Sequence, residues 1–115
     1  MEPIIRGEIY SAALGDTIGS EQAGFRPVLV LQADLLNQNS PTAIVAPITS
    51  HVKLPFLPSH CVLDENCPMH EPSMVLTEQI RTIDRQRLKT YIGRLDATAL
   101  RGVEQALCFS LGLCQ

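Results

Sequence analysis

At 115 residues the chain has room for one domain with a modest core, and we read residues 1–115 as that single domain. Nine basic residues against twelve acidic ones give a formal charge of −3, which excludes a molecule drawn to nucleic acid by bulk charge alone. Aromatic residues make up 4% of the chain and Trp is absent, so a small domain of this composition has little bulk to fill its interior, and oligomerisation is the usual remedy.

Met1-Glu2-Pro3 is not followed by a basic start and an apolar core, so no export signal is expected. The apolar runs are strand-length, no membrane span is expected, and the cytoplasm is the default location. Ile5, Gly7 and Ile9 alternate with Arg6, Glu8 and Tyr10, which predicts a half-buried first strand. Gly15 to Gly24 reads as a long polar loop, and long loops in compact domains are commonly functional. It runs through Gly19-Ser20-Glu21-Gln22-Ala23-Gly24-Phe25-Arg26-Pro27 into the apolar strand Val28 to Gln32. The glycine spacing lacks the Lys-Ser/Thr that a P-loop requires. Pro27 fixes its own φ and pushes Arg26 into an extended conformation. That suits a guanidinium aimed at a phosphate, which it binds through a planar fork.

Asp34 to Gln38 predicts one helical turn, and Thr42 to Thr49 a third strand whose end Pro47 marks as an edge or bulge. This strand closes on two hydroxyls, Thr49 and Ser50, with His51 next to them. Histidine is the usual acid–base residue near neutral pH, but a lone loop histidine is more often exposed and idle. Lys53 to Ser59, with two prolines, is a loop, Cys61 to Leu63 a short strand, and Asn66 to Pro72 another loop. His60, Cys61, Cys67 and His70 are all zinc-competent, but the spacing lacks a Cys-x-x-Cys knuckle, and a strand would point His60 and Cys61 to opposite faces. Free thiols are expected at Cys61, Cys67, Cys108 and Cys114 in a chain without an export signal, and no metal.

Ser73 to Ile80 predicts a strand. On a strand Glu78 and Gln79 face opposite ways, so at most one points into a given groove. Thr82 to Arg85 leads to a turn, and Tyr91 to Leu95 is the last strand. From Arg81 to Arg101 six basic residues stand against Asp84 and Asp96, a candidate nucleic-acid face on Arg81, Arg85 and Arg87; a solvated strand edge would carry the same charges. Asp96 is a good N-cap for a helix whose stripe is Leu100, Val103, Leu107 and Leu111, with Gly112 as its stop. Phe109 lies off the stripe, as a partly exposed side chain or a contact with a second subunit. Many short strands and a terminal helix make the fold mainly β, a small barrel closed by a helix.

Four segments taken together resemble the MazF/PemK (Kid) family of toxin endoribonucleases: Arg6-Gly7-Glu8-Ile9-Tyr10, the loop ending in Arg26-Pro27, the strand ending in Thr49, and Glu78-Gln79-Ile80-Arg81-Thr82-Ile83-Asp84. The likeness runs in order from about Arg6 to Leu113. It implies an SH3-like barrel shared with the CcdB toxins, a symmetric homodimer, a single-stranded RNA substrate and a cognate antitoxin. It assigns the central roles to Arg26 and Thr49, with 2′,3′-cyclic phosphate and 5′-OH products. RNA supplies its own nucleophile, the 2′-OH, so that route needs no metal or other cofactor. Arginine is protonated at any working pH, which makes Arg26 a clamp on the developing phosphorane charge. Glu21 is the nearest carboxylate in sequence, as a base, as an orienter of Arg26, or as a solvated loop acid. Ser20, Gln22 and Ser50, with Glu78 or Gln79, are candidates to contact bases or phosphate, and Arg81 and Arg85 to track the backbone. Two other readings are a CcdB-like gyrase poison without catalysis, against which Arg26 and Thr49 argue, and a small zinc-binding domain.

Overall fold

The computed structural model describes residues 3–113; Met1, Glu2, Cys114 and Gln115 lie outside the described residues. Seven strands form one antiparallel, barrel-like sheet that does not close: β1 (Glu8–Ala13), β2 (Phe25–Val30), β3 (Thr42–Thr49), β4 (His60–Leu63), β5 (Ser73–Leu76), β6 (Arg81–Asp84) and β7 (Leu88–Arg94). A one-turn helix, α1 (Asp34–Asn37), and a long one, α2 (Ala97–Ser110), complete it.

The first strand starts three residues later than the alternation predicts. Gly7, at φ 94°, turns the chain: its amide donates to the Val30 carbonyl at 2.8 Å, and its own carbonyl accepts from the Leu95 amide at 3.0 Å. Arg6 anchors the turn, donating through Nε to the Leu31 carbonyl and pairing through Nη2 with Glu104 of α2 at 2.8 Å.

Strand β3 organises the sheet. One edge pairs with β2 in the register Val28–Pro47, Leu29–Ala46 and Val30–Val45. The other edge is shared: residues 42–45 pair with β6, and Ile48 and Thr49 pair with β5. Pro47 therefore does not end the strand. It is fully buried and falls between the two partners of that edge, where a missing N–H breaks no pair. Thr82 to Asp84, within the stretch Thr82 to Arg85 expected to lead to a turn, belong to the strand β6.

Strand β5 stops at Leu76, and residues 77–79 form a 3-10 turn that carries the chain from one partner segment to the other along β3. The Thr77 hydroxyl is buried, 2.6 Å from the Ser59 carbonyl and 2.7 Å from Ser110 Oγ, which fastens this turn to β4 and α2. The core has two parts. Ile9, Leu29, Ile48, Val75 and Val103 lie under α2, and Ala12, Val28, Val30, Val45 and Ile83, which alternate with them along the strands, lie on the opposite face of the sheet. Asp96 caps α2 by accepting from the Ala99 amide at 2.8 Å, and Gly112 ends it at φ 70°. Of the expected stripe, Val103 is buried, Leu100 and Leu107 are partly buried, and Leu111 is half exposed because it already lies past the helix end.

Candidate functional site

The β2–β3 ladder ends at Val28–Pro47, just before Pro27, which has no N–H to donate to the next pair. Continuing its register by two residues sets Arg26 beside Thr49. Both line a cavity of about 140 Å³ with Ser50, Glu71 and Ser73, and also an adjoining groove of about 510 Å³. That groove adds Ser20, Gln22, His51, Lys53, His60, Glu78 and Gln79.

Arg26 is exposed, and its Nε donates to the Ala23 carbonyl at 3.1 Å. One edge of the guanidinium is thus tied to its own loop. The described residues give its two terminal nitrogens no partner. Thr49 is 7% exposed, and its Oγ1 accepts from the His51 amide at 3.1 Å. With a lone pair so occupied, the hydroxyl proton is free to donate into the cavity. His51 thus contributes its backbone, and its exposed side chain lines the groove.

Glu21 does not join Arg26. Its carboxylate turns back on its own loop, accepting from the Ile18 amide at 2.6 Å, and it lines a separate cavity of about 480 Å³ with Asp16, Glu78 and Arg81. The carboxylate that shares the 140 Å³ cavity with Arg26 and Thr49 is Glu71. Sequence reasoning passed over it because it lies in a loop 45 residues from Arg26 with no local motif.

Glu78 and Gln79 depart from the strand expectation. On a 3-10 turn successive side chains rotate by about 120° rather than 180°, and both residues reach the 510 Å³ groove. Gln79 also holds the β1–β2 loop, accepting from the Gln22 amide at 2.9 Å and donating to the Ser20 carbonyl at 3.2 Å. Glu78 meets His60, whose Nε2 lies 2.6 Å from Glu78 Oε2. His60 is the second residue that sequence reasoning undervalued.

The basic stretch does not form one face. Arg81 lines the 480 Å³ cavity. Arg85, expected to track RNA, is 8% exposed and donates to the carbonyls of Asn37 and Ser40, so it serves the fold rather than the groove. Arg87 donates to the Ala13 carbonyl at 3.0 Å, and Lys89 to the Gln86 carbonyl at 2.8 Å. The 3-10 turn at residues 85–87 breaks the alternation that would have aligned these charges.

The zinc-competent residues separate as strand geometry requires. His60 lines the groove, while Cys61, Cys67 and His70 line a cleft of about 660 Å³ against the start of α2. Burial pushes the Cys61 thiol up from its ordinary value. Cys67 is buried and donates to the Glu71 carbonyl at 3.2 Å. Among the described residues no three His, Cys, Asp or Glu side chains gather to hold a metal ion, and Cys61, Cys67 and Cys108 are free thiols. No described helix is long and apolar enough to cross a membrane.

Residues 5–111 match the family model described as PemK-like, MazF-like toxin of type II toxin-antitoxin system. The chain is 48% identical over 109 residues to Endoribonuclease EndoA of Bacillus subtilis (strain 168), covering 94% of each. A crystal structure of MazF from Deinococcus radiodurans superposes with a TM-score of 0.83 at 26% identity, covering 97% of this chain and 99% of that one. A MazE-MazF crystal structure from the same organism gives 0.78 at 25% identity, covering 98% and 99%.

Proposed function

Because the chain belongs to the PemK-like, MazF-like toxin family of type II toxin-antitoxin systems, we propose that its Arg26–Thr49 groove cleaves single-stranded RNA at specific sequences. The relative from Bacillus subtilis is named an endoribonuclease, and it matches this chain along nearly its whole length. The observation that carries the reading is the meeting of Arg26 and Thr49 where the β2–β3 ladder opens.

The 2′-OH of the substrate attacks the adjacent phosphorus and gives up its proton, the phosphorane gathers negative charge, and the 5′-oxygen leaves with a proton. Arg26 meets the charge with its two terminal nitrogens while Nε keeps the fork oriented. Thr49 donates its hydroxyl to a phosphate oxygen. Glu71 is the carboxylate placed to orient Arg26 or to take the 2′-proton. Ser20, Gln22, Ser50, Glu78 and Gln79 line the same cavity and groove as Arg26 and Thr49, which supports a role for them in reading bases. The products are a 2′,3′-cyclic phosphate and a 5′-OH. Purified protein should cut a single-stranded RNA in EDTA, and mass spectrometry of the fragments should find the cyclic phosphate. Strict Mg²⁺ dependence with 5′-phosphate ends would exclude this chemistry, and intact RNA would return the chain to the non-catalytic, CcdB-like reading.

The 115 residues act as one toxin domain, in the cytoplasm, under a cognate antitoxin that covers the groove; the MazE-MazF structure supports such a partner. The active form is a homodimer. Phe109, Leu111 and Leu113, 53%, 52% and 70% exposed, leave apolar surface at the end of α2 that a second copy would cover. Light scattering at micromolar concentration should give twice the 12.6 kDa chain mass; a monomer mass would contradict this.

A further inference from the structure

The segment between β3 and β4, residues 50–59, forms one wall of the groove, and its tip stands in solvent: Lys53, Leu54, Pro55 and Phe56 are all exposed. Among the described residues, the hydrogen bonds of residues 52–56 converge on one atom, the Leu54 carbonyl oxygen. It accepts from the Leu57 amide at 3.1 Å, a local bond, and from His60 Nδ1 at 3.1 Å. The His60 ring is therefore what joins the tip to the sheet. Leu54 sits at φ 51°, in the left-handed region that leucine disfavours and that persists only where the surroundings hold it.

The other ring nitrogen meets the opposite wall, where Nε2 lies 2.6 Å from Glu78 Oε2. The His60 side chain is 8% exposed, while Glu78 is 40% exposed and Leu54 stands in solvent, so the ring is sheltered and its two acceptors are open to water. Arg26, His51 and Lys53 also line this groove, and Glu78 is the acid among its lining residues. A carbonyl and a carboxylate both accept, so the ring makes both bonds fully only by donating from both nitrogens.

We propose that His60 is a positioning residue for base selection: a strut that fixes the tip of the 50–59 segment against Glu78, setting the groove width at the nucleotides beside the cleaved bond. The inference deepens the RNA-cleavage reading and rests on it. Among the described residues no hydrogen bond joins His60 to Arg26 or Thr49, so its loss should act on recognition more than on the chemical step.

Three substitutions separate the strut from simple packing. His60→Ala removes both bonds. His60→Asn keeps a donor near the Nδ1 position and so retains the bond to Leu54, whereas His60→Gln keeps one near Nε2 and retains only the bond to Glu78. Two measurements apply to each: end-mapped cleavage of a random RNA pool with kcat and KM on the preferred site, and hydrogen exchange of the amides in residues 52–57. His60→Ala and His60→Gln should broaden the set of sites cut, raise KM by roughly tenfold, as the loss of one hydrogen bond does, change kcat less, and speed exchange in the tip. His60→Asn should leave exchange in the tip slow, because the bond to Leu54 remains, but should broaden the sites cut and raise KM, because the tip is no longer braced against Glu78. Unchanged sites in either single-bond variant, or exchange in the tip that His60→Gln speeds no more than His60→Asn does, would overturn the proposal. If the wild type leaves RNA intact, the cleavage reading fails, and the exchange comparison still decides whether His60 holds the tip.

Discussion

Arg26→Ala should lower the rate of RNA cleavage by about 10²–10³-fold, the usual effect of deleting one preorganised donor aimed at developing charge. The side chain is exposed, and its one bond within the described residues goes to a carbonyl of its own loop, so little of the fold depends on it. Circular dichroism and melting temperature should stay at wild-type values. Arg26→Lys should recover little, because an ammonium supplies a point charge and no pair of parallel donors. Thr49→Ala should reduce activity similarly, with a further small effect on the turn that its Oγ1 makes with the His51 amide. Near-wild-type cleavage by Arg26→Ala with an unchanged spectrum would remove the central claim.

Arg85→Ala should have the opposite profile. Its guanidinium bonds the carbonyls of Asn37 and Ser40, and truncation leaves buried acceptors without their charged donor. The expected loss is about 2–3 kcal/mol, a fall in melting temperature of roughly 10 °C for a domain of this size. Among molecules that remain folded, the salt dependence of RNA binding should be unaltered. Arg81→Ala should do the reverse, keeping stability and reducing the slope of log affinity against log salt by roughly 0.7, the value for one phosphate contact on a single strand. Cleavage specificity should be unchanged in Arg81→Ala, since phosphate contacts position and do not read bases. Both variants can be read in an Arg26→Ala background, where binding is measured without turnover. A changed slope in Arg85→Ala at wild-type stability would put that residue back on an RNA face.

These two arginines show where sequence stops being informative. Four residues apart, on a strand-and-turn stretch with a clear positive excess, they look equivalent in the chain. Arg85 is committed to the fold because carbonyls 48 and 45 residues earlier, at Asn37 and Ser40, arrive beside it. No local pattern encodes such a meeting.

What the sequence determined by itself was local or carried by motif. The span of β3, the Asp96 cap and the Gly112 stop follow from side-chain period and backbone preference, and each was legible. Arg26 and Thr49 were singled out by Arg-Pro at a strand start, a strand-end hydroxyl and the order of the family-like segments. The tertiary structure decided which side chains share a cavity. Glu21, close to Arg26 in sequence, is drawn to the Ile18 amide, and Glu71 lines the small cavity that Arg26 and Thr49 share. Glu78 and Gln79 both enter the groove because β3 exchanges one partner for another, and the chain crosses between them on a 3-10 turn rather than a strand. His60 becomes a strut because that same turn brings Glu78 to it from 18 residues away. Period-two reasoning fixes direction only while the ladder is regular, and the groove lies where the ladder breaks.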